Sequence, residues 1–410
     1  MKTVIIGGGA AGMMSAYFSA KCGDEVVLLE KNEKLGKKLY ITGKGRCNLT
    51  NDCDVNDFFN CVVTNLKFML SSVRSFSPAD VMALFESFGL KLKTERGNRV
   101  FPLSDKSSDV IKCLSRALEN QNVTVRLNTK VTRVEQNSGR VSGIYTENEF
   151  IACDRVIICT GGISYPLTGS TGDGYKFARE TGHEIMPLRP ALCGLKLKGD
   201  FSNLAGLSLK NTGYKVISNG KEIYRDFGEL LFTHKGISGP VVLSSSSYIS
   251  AAGNGNIFTV SIDLKPSLDE KTLDQRILRD FALYKNKVLK NALIDLLPKS
   301  LIGEVIRAAS LSENSNVSEL TQENRKKLLY ALKNLNYQVT GLMPIEEAIV
   351  TGGGVNVKQI DPKTMESKLV KGLYFAGEVI DVDALTGGFN LQCAFSSAHA
   401  AALAGRKEEF

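Results

Sequence analysis

Residues 2–6 (Lys-Thr-Val-Ile-Ile) form a β-branched apolar run that ends in Gly7, Gly8 and Gly9. A helix-like stretch, Met13 to Ala20, leaves Gly12, and a second apolar run, Val26 to Leu29, closes on the acid Glu30. This order predicts strand, turn, helix and strand. Ser77 to Phe88 reads as a helix, with Ser77 as N-cap, Pro78 in the first turn and Gly89 just past the end. Ser108 to Glu119 reads as another. Val123–Leu127, Val131–Glu135 and Val141–Tyr145 alternate like strands with one exposed face, whereas Arg155–Cys159 reads as a fully buried strand of a central parallel sheet.

Near residue 188 the pattern changes. Leu195–Leu197, Leu207–Leu209, Tyr214–Ile217 and Phe258–Ile262 are short alternating strands, and Asn219-Gly220 predicts a hairpin turn. They form an antiparallel barrel or sandwich. Residues 268–334 are helical in pattern, opening on Ser267-Leu-Asp-Glu270 as a capping box and broken at Pro298. From about 350 the first style returns, with a buried strand at Leu373–Ala376, Gly377-Glu378 at its end, and Gly387-Gly388 leading into a helix over 390–404. The fold class is α/β. A discontinuous dinucleotide-binding domain (1–187 plus 342–410) is interrupted by a β insert at 188–266 and a helical insert at 267–334. Residues 335–350 are left open as a segment returning to the β insert.

The opening glycines have separate tasks. Gly7 permits the tight turn, Gly9 lets backbone approach a pyrophosphate, and Gly12 lets helix and strand pack closely. Ala10, Ala11 and Gly12 complete the turn, and the helix that leaves it offers the N–H groups and positive dipole end of its N-terminus to phosphate. Glu30 suits a ribose diol and would repel a 2′-phosphate. Lys31, Lys38, Thr42, Gly43, Gly45, Arg46, Cys47 and Asn48 lie in a basic, glycine-rich stretch fit to wrap a phosphate and donate N–H groups to a ring. Thr160, Gly161 and Gly162 follow the buried strand and suit close backbone contact with a cofactor. The carboxylate of Glu378 after Gly377 can hold ribityl hydroxyls. The helix start at Gly388, Asn390, Leu391 and Gln392 can stabilise negative charge on a reduced ring.

Composition narrows the partners. The chain of 410 residues carries 51 Lys and Arg against 43 Asp and Glu, a net charge of +8. The basic residues read as scattered and no aromatic stacking platform stands out, which argues against nucleic acid and for a small-molecule substrate. No apolar run approaches the roughly 20 residues of a membrane helix, and the N-terminal strand excludes a signal peptide. The nine cysteines are odd in number and show neither CxxC nor zinc spacing, which predicts reduced thiols, a cytoplasmic protein and no metal. Oligomeric state is not legible.

Five runs carry a family resemblance: Thr42-Gly-Lys-Gly-Arg-Cys-Asn-Leu-Thr-Asn51, Glu229-Leu-Leu-Phe-Thr-His-Lys-Gly-Ile-Ser-Gly-Pro240, Thr351-Gly-Gly-Gly-Val355, Thr364-Met-Glu-Ser-Lys368, and the run from Tyr374 to Gln392. With the opening motif they resemble glutathione-reductase-like flavoproteins and, within those, the BaiN/YhiN-like NAD(P)/FAD-dependent oxidoreductases, the aminoacetone-oxidase type. The resemblance spans nearly the whole chain. It implies non-covalent FAD on a Rossmann-like domain, with an inserted antiparallel β-barrel and a small helical domain. It places the ADP half on Gly7 to Gly12 and Glu30, and adenine on the backbone of Val131. Pyrophosphate, ribityl chain and flavin fall to Thr160 to Gly162, Gly377-Glu378 and Gly388 to Gln392. Glu378 stands where such flavoproteins usually carry Asp, and its extra methylene still reaches a hydroxyl. Phe389 stands where an aromatic is expected.

Candidates for the chemistry are His234, Cys47 and Asn48. His234 lies in the insert expected to face the flavin, and an ordinary imidazole suits proton transfer at neutral pH. Cys47 lies in the flavin loop but lacks a nearby partner cysteine. His183 and His399 read as structural. No second GxGxxG–acid unit follows, so NAD(P)H is expected to visit the flavin transiently as electron donor. The expected reaction is hydride transfer at flavin N5, reducing an enone-like small molecule of steroid or bile-acid type. The alternatives are an amine oxidase using O₂ and an FAD-containing RNA-associated protein.

Overall fold

The computed structural model describes residues 1–253 and 255–406. The chain forms two compact units, one of residues 1–191 with 344–410 and one of residues 192–343.

In the first unit a five-stranded sheet runs in the spatial order Leu373–Phe375, Arg155–Ile158, Lys2–Ile6, Glu25–Leu29 and Thr124–Arg126, all parallel. Its four core strands are almost wholly apolar and buried, with helices Ala10–Lys21 and Phe389–Leu403 packed on them and strand Arg140–Thr146 of a small antiparallel sheet against Arg155–Ile158, as a parallel sheet buried on both faces requires. Ile6 pairs with Ile158 and Leu29, and Ile158 with Phe375, so Gly7, Glu30, Thr160 and Gly377 all emerge at one carboxyl edge. That edge is where open parallel sheets bind ligands. Helix Ala10–Lys21 is buried without interruption from Ala11 to Ser19, because it lies between the sheet and the last helix, Phe389–Leu403. The alanines of that last helix (Ala398, Ala401, Ala402) are fully buried and permit the close approach.

The predicted helix at Ser77 begins as read: Ser77 accepts the Asp80 amide, Asp80 reciprocates, and the helix spans Pro78–Ser87. The next spans Ser107–Asn120. One strand differs in kind. Thr124–Arg126 is an edge strand of the parallel sheet, whereas Val131–Asn137 and Arg140–Thr146 pair antiparallel in a separate small sheet. Alternation alone does not distinguish an edge strand from a half-exposed hairpin.

The second unit is a closed six-stranded antiparallel barrel in the order Leu195–Leu197, Gly236–Ser238, Lys221–Thr233, Ser208–Ser218, Phe258–Asp263 and Leu335–Leu342. Tyr214, Val216, Leu230, Phe232, Val260 and Ile262 fill its core. Asn219 and Gly220, both at positive φ (47° and 83°), make the expected hairpin turn. Leu207–Leu209 and Tyr214–Ile217, read as two strands, belong to one irregular strand from Ser208 to Ser218. The helical stretch supplies Glu270–Leu283, Leu289–Ala292, Lys299–Ala308 and Gln322–Lys333. Its first cap is Asp269, which accepts the Thr272 amide at 2.7 Å, and not Ser267. Helix Pro240–Ala252 was not anticipated, because its run of four serines carries no apolar periodicity. Among the described residues no helix is long and apolar enough to cross a membrane.

Candidate functional site

The glycine turn is fixed by what a side chain would strike. A Cβ on Gly7 (φ +104°) would lie 2.7 Å from the Cys159 carbonyl oxygen, and one on Gly12 would lie 1.8 Å from the Gly7 carbonyl oxygen. Gly9 is different, for a Cβ there meets nothing within 4 Å. Gly9 is also the N-cap of Ala10–Lys21, and no side chain caps that end. The first-turn amides of Ala10, Ala11 and Gly12 therefore have no side-chain acceptor and lie at the positive end of the helix dipole, beside the open space over Gly9. Glu30 closes the turn from the next strand. Its Oε2 accepts the Gly8 amide at 2.7 Å, and its Oε1 accepts the amide and side chain of Asn32 at 2.8 and 2.6 Å. Lys31 is bound to Asp173 and Thr171, at 2.6 and 2.5 Å. Val131 is buried at the start of its strand.

The second carboxylate is a hub. Glu378 Oε1 accepts from Lys38 Nζ (2.9 Å), Ser164 Oγ (3.1 Å) and the Thr351 amide (2.8 Å), and Oε2 accepts from Lys38 at 2.7 Å. Thr351 Oγ1 in turn accepts the amides of Ile163 and Ser164. Gly162 leaves room for it, since a Cβ there would lie 2.3 Å from Thr351 Oγ1. Gly161 and Gly377 take positive φ (71° and 77°). Thr160 Oγ1 is buried without a hydrogen-bond partner. Ser164 and Thr351 escaped the sequence reading as site residues, although Thr351 opens one of the family runs.

The segment after the loop docks on the last helix. Thr50 Oγ1 donates to Gln392 Oε1 at 2.6 Å, and Asn51 Nδ2 donates to the Gly387 carbonyl at 3.0 Å. Gly388 (φ +100°) is the N-cap of Phe389–Leu403, which lacks a side-chain cap. The side chains of Asn390 and Gln392 do not point to a ligand. Asn390 brackets the backbone of Ala384 and Leu385, and the fully buried Gln392 bonds Thr50, Ser396 and the Phe76 carbonyl. The helix thus offers backbone amides at Phe389, Asn390 and Leu391, while the two polar side chains hold the scaffold.

Between these feet, Gly43, Lys44 and Gly45 turn left-handed, with φ of 57°, 57° and 85°, and Cys47 follows at 58°. At a non-glycine residue that conformation costs about 1 kcal/mol. Arg46 holds the turn down. Its guanidinium grips Glu95 and Asp105, each at 2.5 Å, and lies 4.1 Å from the centre of the Phe101 ring. The Arg46 side chain, expected at a phosphate, is instead engaged by two carboxylates that match its charge. Burial pushes the Cys47 thiol up to about 12, with the Thr42 hydroxyl opposing. Cys47 is therefore a neutral buried thiol and no redox nucleophile. Asn48 keeps its side-chain oxygen buried and unbonded.

The histidines separate cleanly. His183 is buried, with Nε2 2.8 Å from Ser367 Oγ and Nδ1 3.0 Å from Thr181 Oγ1. His399 is buried in the last helix, stacked on Phe76. His234 is exposed in the turn between barrel strands Lys221–Thr233 and Gly236–Ser238. Among the described residues no group of His, Cys, Asp or Glu is arranged to hold a metal ion.

An open cradle over Gly9, two uncapped helix N-termini at Gly9 and Gly388, and carboxylates at Glu30 and Glu378 occupy one face of one unit. Phosphates, ribose, ribityl chain and an electron-rich ring edge need these donors and acceptors, so the residues fit FAD.

Comparison with known proteins agrees. The family model for the HI0933-like protein Rossmann domain matches residues 1–404. The 3-dehydro-bile acid delta(4,6)-reductase of Clostridium scindens is 32% identical over 409 residues, covering 98% of this chain and 97% of that protein. The ribosomal RNA dihydrouridine synthase of Escherichia coli is 31% identical over 405 residues, covering 97% and 96%. Among solved structures, the 3-ketosteroid-delta4-(5alpha)-dehydrogenase of Rhodococcus jostii RHA1 shares the fold, with a TM-score of 0.52, 12% identity, and coverage of 98% and 96%.

Proposed function

The chain belongs to the HI0933-like family of FAD-dependent oxidoreductases, and from that premise we propose that it reduces a carbon–carbon double bond activated by a neighbouring carbonyl group. When bound, FAD supplies hydride transfer at its N5. The protein's part is to hold the ADP half with the Gly7–Gly12 turn and Glu30, to orient the ribityl chain with Glu378, and to set the helix start at Gly388 against the ring. NADH or NADPH serves as electron donor, and the reaction runs in the cytoplasm, in keeping with nine cysteines that are all thiols.

One observation carries the substrate class. Two relatives of nearly equal identity have names that differ in substrate but share a reaction type. A delta(4,6)-reductase and a dihydrouridine synthase both add hydrogen across a double bond conjugated to a carbonyl. The buried, neutral Cys47 supports this reading over thiol–disulfide chemistry. The test is to photoreduce the FAD-loaded protein without air and mix it with 4-androstene-3,17-dione, with uridine-containing RNA, or with O₂. Reoxidation by an enone or by uridine well above the O₂ rate is expected. Rapid reoxidation by O₂ alone would favour the amine-oxidase alternative and end the proposal.

A specific observation favours RNA as the second reading. Residues 192–343 hold 20 Lys and Arg against 14 Asp and Glu, which is six of the eight net positive charges. The charge is therefore less evenly spread than the sequence reading assumed. Binding to ribosomal RNA fragments that weakens steeply with salt would support this reading, and no shift at physiological salt would dismiss it.

A further inference from the structure

Lys44 is the unusual residue of the loop. It sits between two glycines at φ 57° and ψ 41°, a conformation in which glycine would rest without strain. Its side chain is exposed, and among the described residues its ammonium makes no ion pair or hydrogen bond. The neighbouring cations behave otherwise: Lys37 holds Glu33, Lys38 holds Glu378, and Arg46 holds Glu95 and Asp105. Arg46 and the turn's own backbone bonds hold the conformation, but no contact of the Lys44 side chain offsets the strain at position 44, and strain kept at an unengaged side chain points to a ligand.

The mount is rigid and well placed. On one side of the loop Lys38 stands on Glu378, the carboxylate assigned to the ribityl chain. On the other side Thr50 and Asn51 stand on Gln392 and Gly387, at the helix start assigned to the ring. Arg46 clamps the base. The loop tip that carries Lys44 therefore spans from one flavin-holding segment to the other.

We propose that Lys44 is a specificity-determining residue that presents its ammonium to an oxyanion, carboxylate or phosphate, on a molecule visiting the flavin edge. The proposal rests on the FAD reading above and adds the charge of the visitor. The cofactor's own pyrophosphate belongs at Gly9, so it does not account for this cation. A compact ammonium on a flexible stem serves either kind of oxyanion, as a point charge. The carboxylate would come from an acidic substrate, and the phosphate from the electron-donating nucleotide.

The test titrates FAD-loaded wild type, Lys44→Gly and Lys44→Gln with cholate, NADH and NADPH by calorimetry at low ionic strength. Wild type is expected to bind cholate or NADPH about tenfold more tightly than either variant, the loss of one charge-assisted hydrogen bond. A loss confined to cholate assigns a substrate carboxylate, and a loss confined to NADPH assigns the nucleotide's extra phosphate. Equal binding of all three ligands by wild type and both variants, or no binding of any by wild type, overturns the proposal. Lys44→Gly removes the left-handed strain and should melt no lower than wild type, so misfolding cannot imitate the result. If anion binding depends on Lys44 but no enone is reduced, the double-bond reading falls and this one stands.

Discussion

Lys38 Nζ lies 2.7 Å from Glu378 Oε2 and 2.9 Å from Oε1, joining two residues 340 positions apart in the sequence. Each side chain is about one-fifth exposed (20%), so the pair is shielded enough to set geometry. Ser164 and the Thr351 amide complete the shell on the same carboxylate. Lys38→Ala leaves Glu378 with two donors and freedom to turn. We expect FAD retention to fall about tenfold, near 1.4 kcal/mol, read by equilibrium dialysis and flavin fluorescence. Ser164→Ala removes a hydroxyl donor from the same carboxylate but leaves the Lys38 charge in place, and should cost less. Retention unchanged in Lys38→Ala would show that the ion pair does not orient the carboxylate.

The glycines of the turn make opposite predictions. Gly12→Ala drives a methyl to 1.8 Å from the Gly7 carbonyl oxygen, a backbone atom that cannot step aside. That variant should lose several kcal/mol or fail to fold. Gly9→Ala meets no protein atom within 4 Å. Its apoprotein should melt within a degree or two of wild type, yet it should lose FAD, because the methyl enters the space left for the pyrophosphate. Apoprotein melting and cofactor titration distinguish the two. A Gly9→Ala protein that binds FAD normally would move the pyrophosphate elsewhere.

Glu30 is both a cap for the turn and the proposed ribose anchor. Glu30→Ala strands the Gly8 amide and the Asn32 side chain, whose bonds are 2.7 and 2.6 Å. Losing a buried acceptor costs about 1–3 kcal/mol, so the apoprotein should be less stable and FAD should dissociate more readily. Urea melts and dialysis measure the two effects separately. Undiminished FAD affinity in a folded Glu30→Ala protein would reassign the anchor.

Much of this was legible in the sequence, and the reason is local. Strand, glycine turn, helix and acid occupy 30 consecutive residues, so the places of Gly7, Gly9, Gly12 and Glu30 in the strand–turn–helix–strand unit could be read from spacing alone. The buried strand at Arg155–Ile158 and the hairpin at Asn219-Gly220 are equally short-range. What escaped depends on distant partners. Nothing near Arg46 announces Glu95 and Asp105, and nothing near Gln392 announces Thr50 or the Phe76 carbonyl. Both side chains were read as ligand contacts because of the glycine-rich segments they sit in, and the fold engages them elsewhere. The helix at Pro240–Ala252 was missed because its serines are buried by neighbouring polar groups such as Tyr214 and the Cys193 amide, which pattern cannot show.

Arg46 gives that lesson a test. If its role is to hold the Thr42–Asn48 loop, then Arg46→Ala should loosen the loop. Lys44 is then open to trypsin in the variant, and cleavage after Lys44 should quicken several-fold as local opening becomes easier. Asp105→Asn removes one of the two carboxylate charges and should act in the same direction more weakly. A phosphate-binding Arg46 would instead lower cofactor affinity and leave the cleavage rate unchanged.

His399 sets an acid limit on stability. Its ring stacks on Phe76 at 4.6 Å and meets Phe18 edge-on, and burial pushes its pKa down to about 4, with Asp80 opposing and Lys21 adding. In the unfolded chain an imidazole titrates near 6.5, so between the two values the unfolded state binds the extra proton. The neutral ring therefore contributes its full stability above about pH 6.5, and that contribution is lost as pH falls towards 4. By linkage the loss reaches about 2 kcal/mol at pH 5. His183, also lowered by burial, acts in the same sense. His399→Leu keeps an apolar contact and removes one titration. Urea melts at pH 7.5 and pH 5 should show wild type losing about 2 kcal/mol more than His399→Leu over that interval, while His183 contributes equally to both. Parallel losses in the two proteins would mean that His399 is protonated in the folded state without penalty.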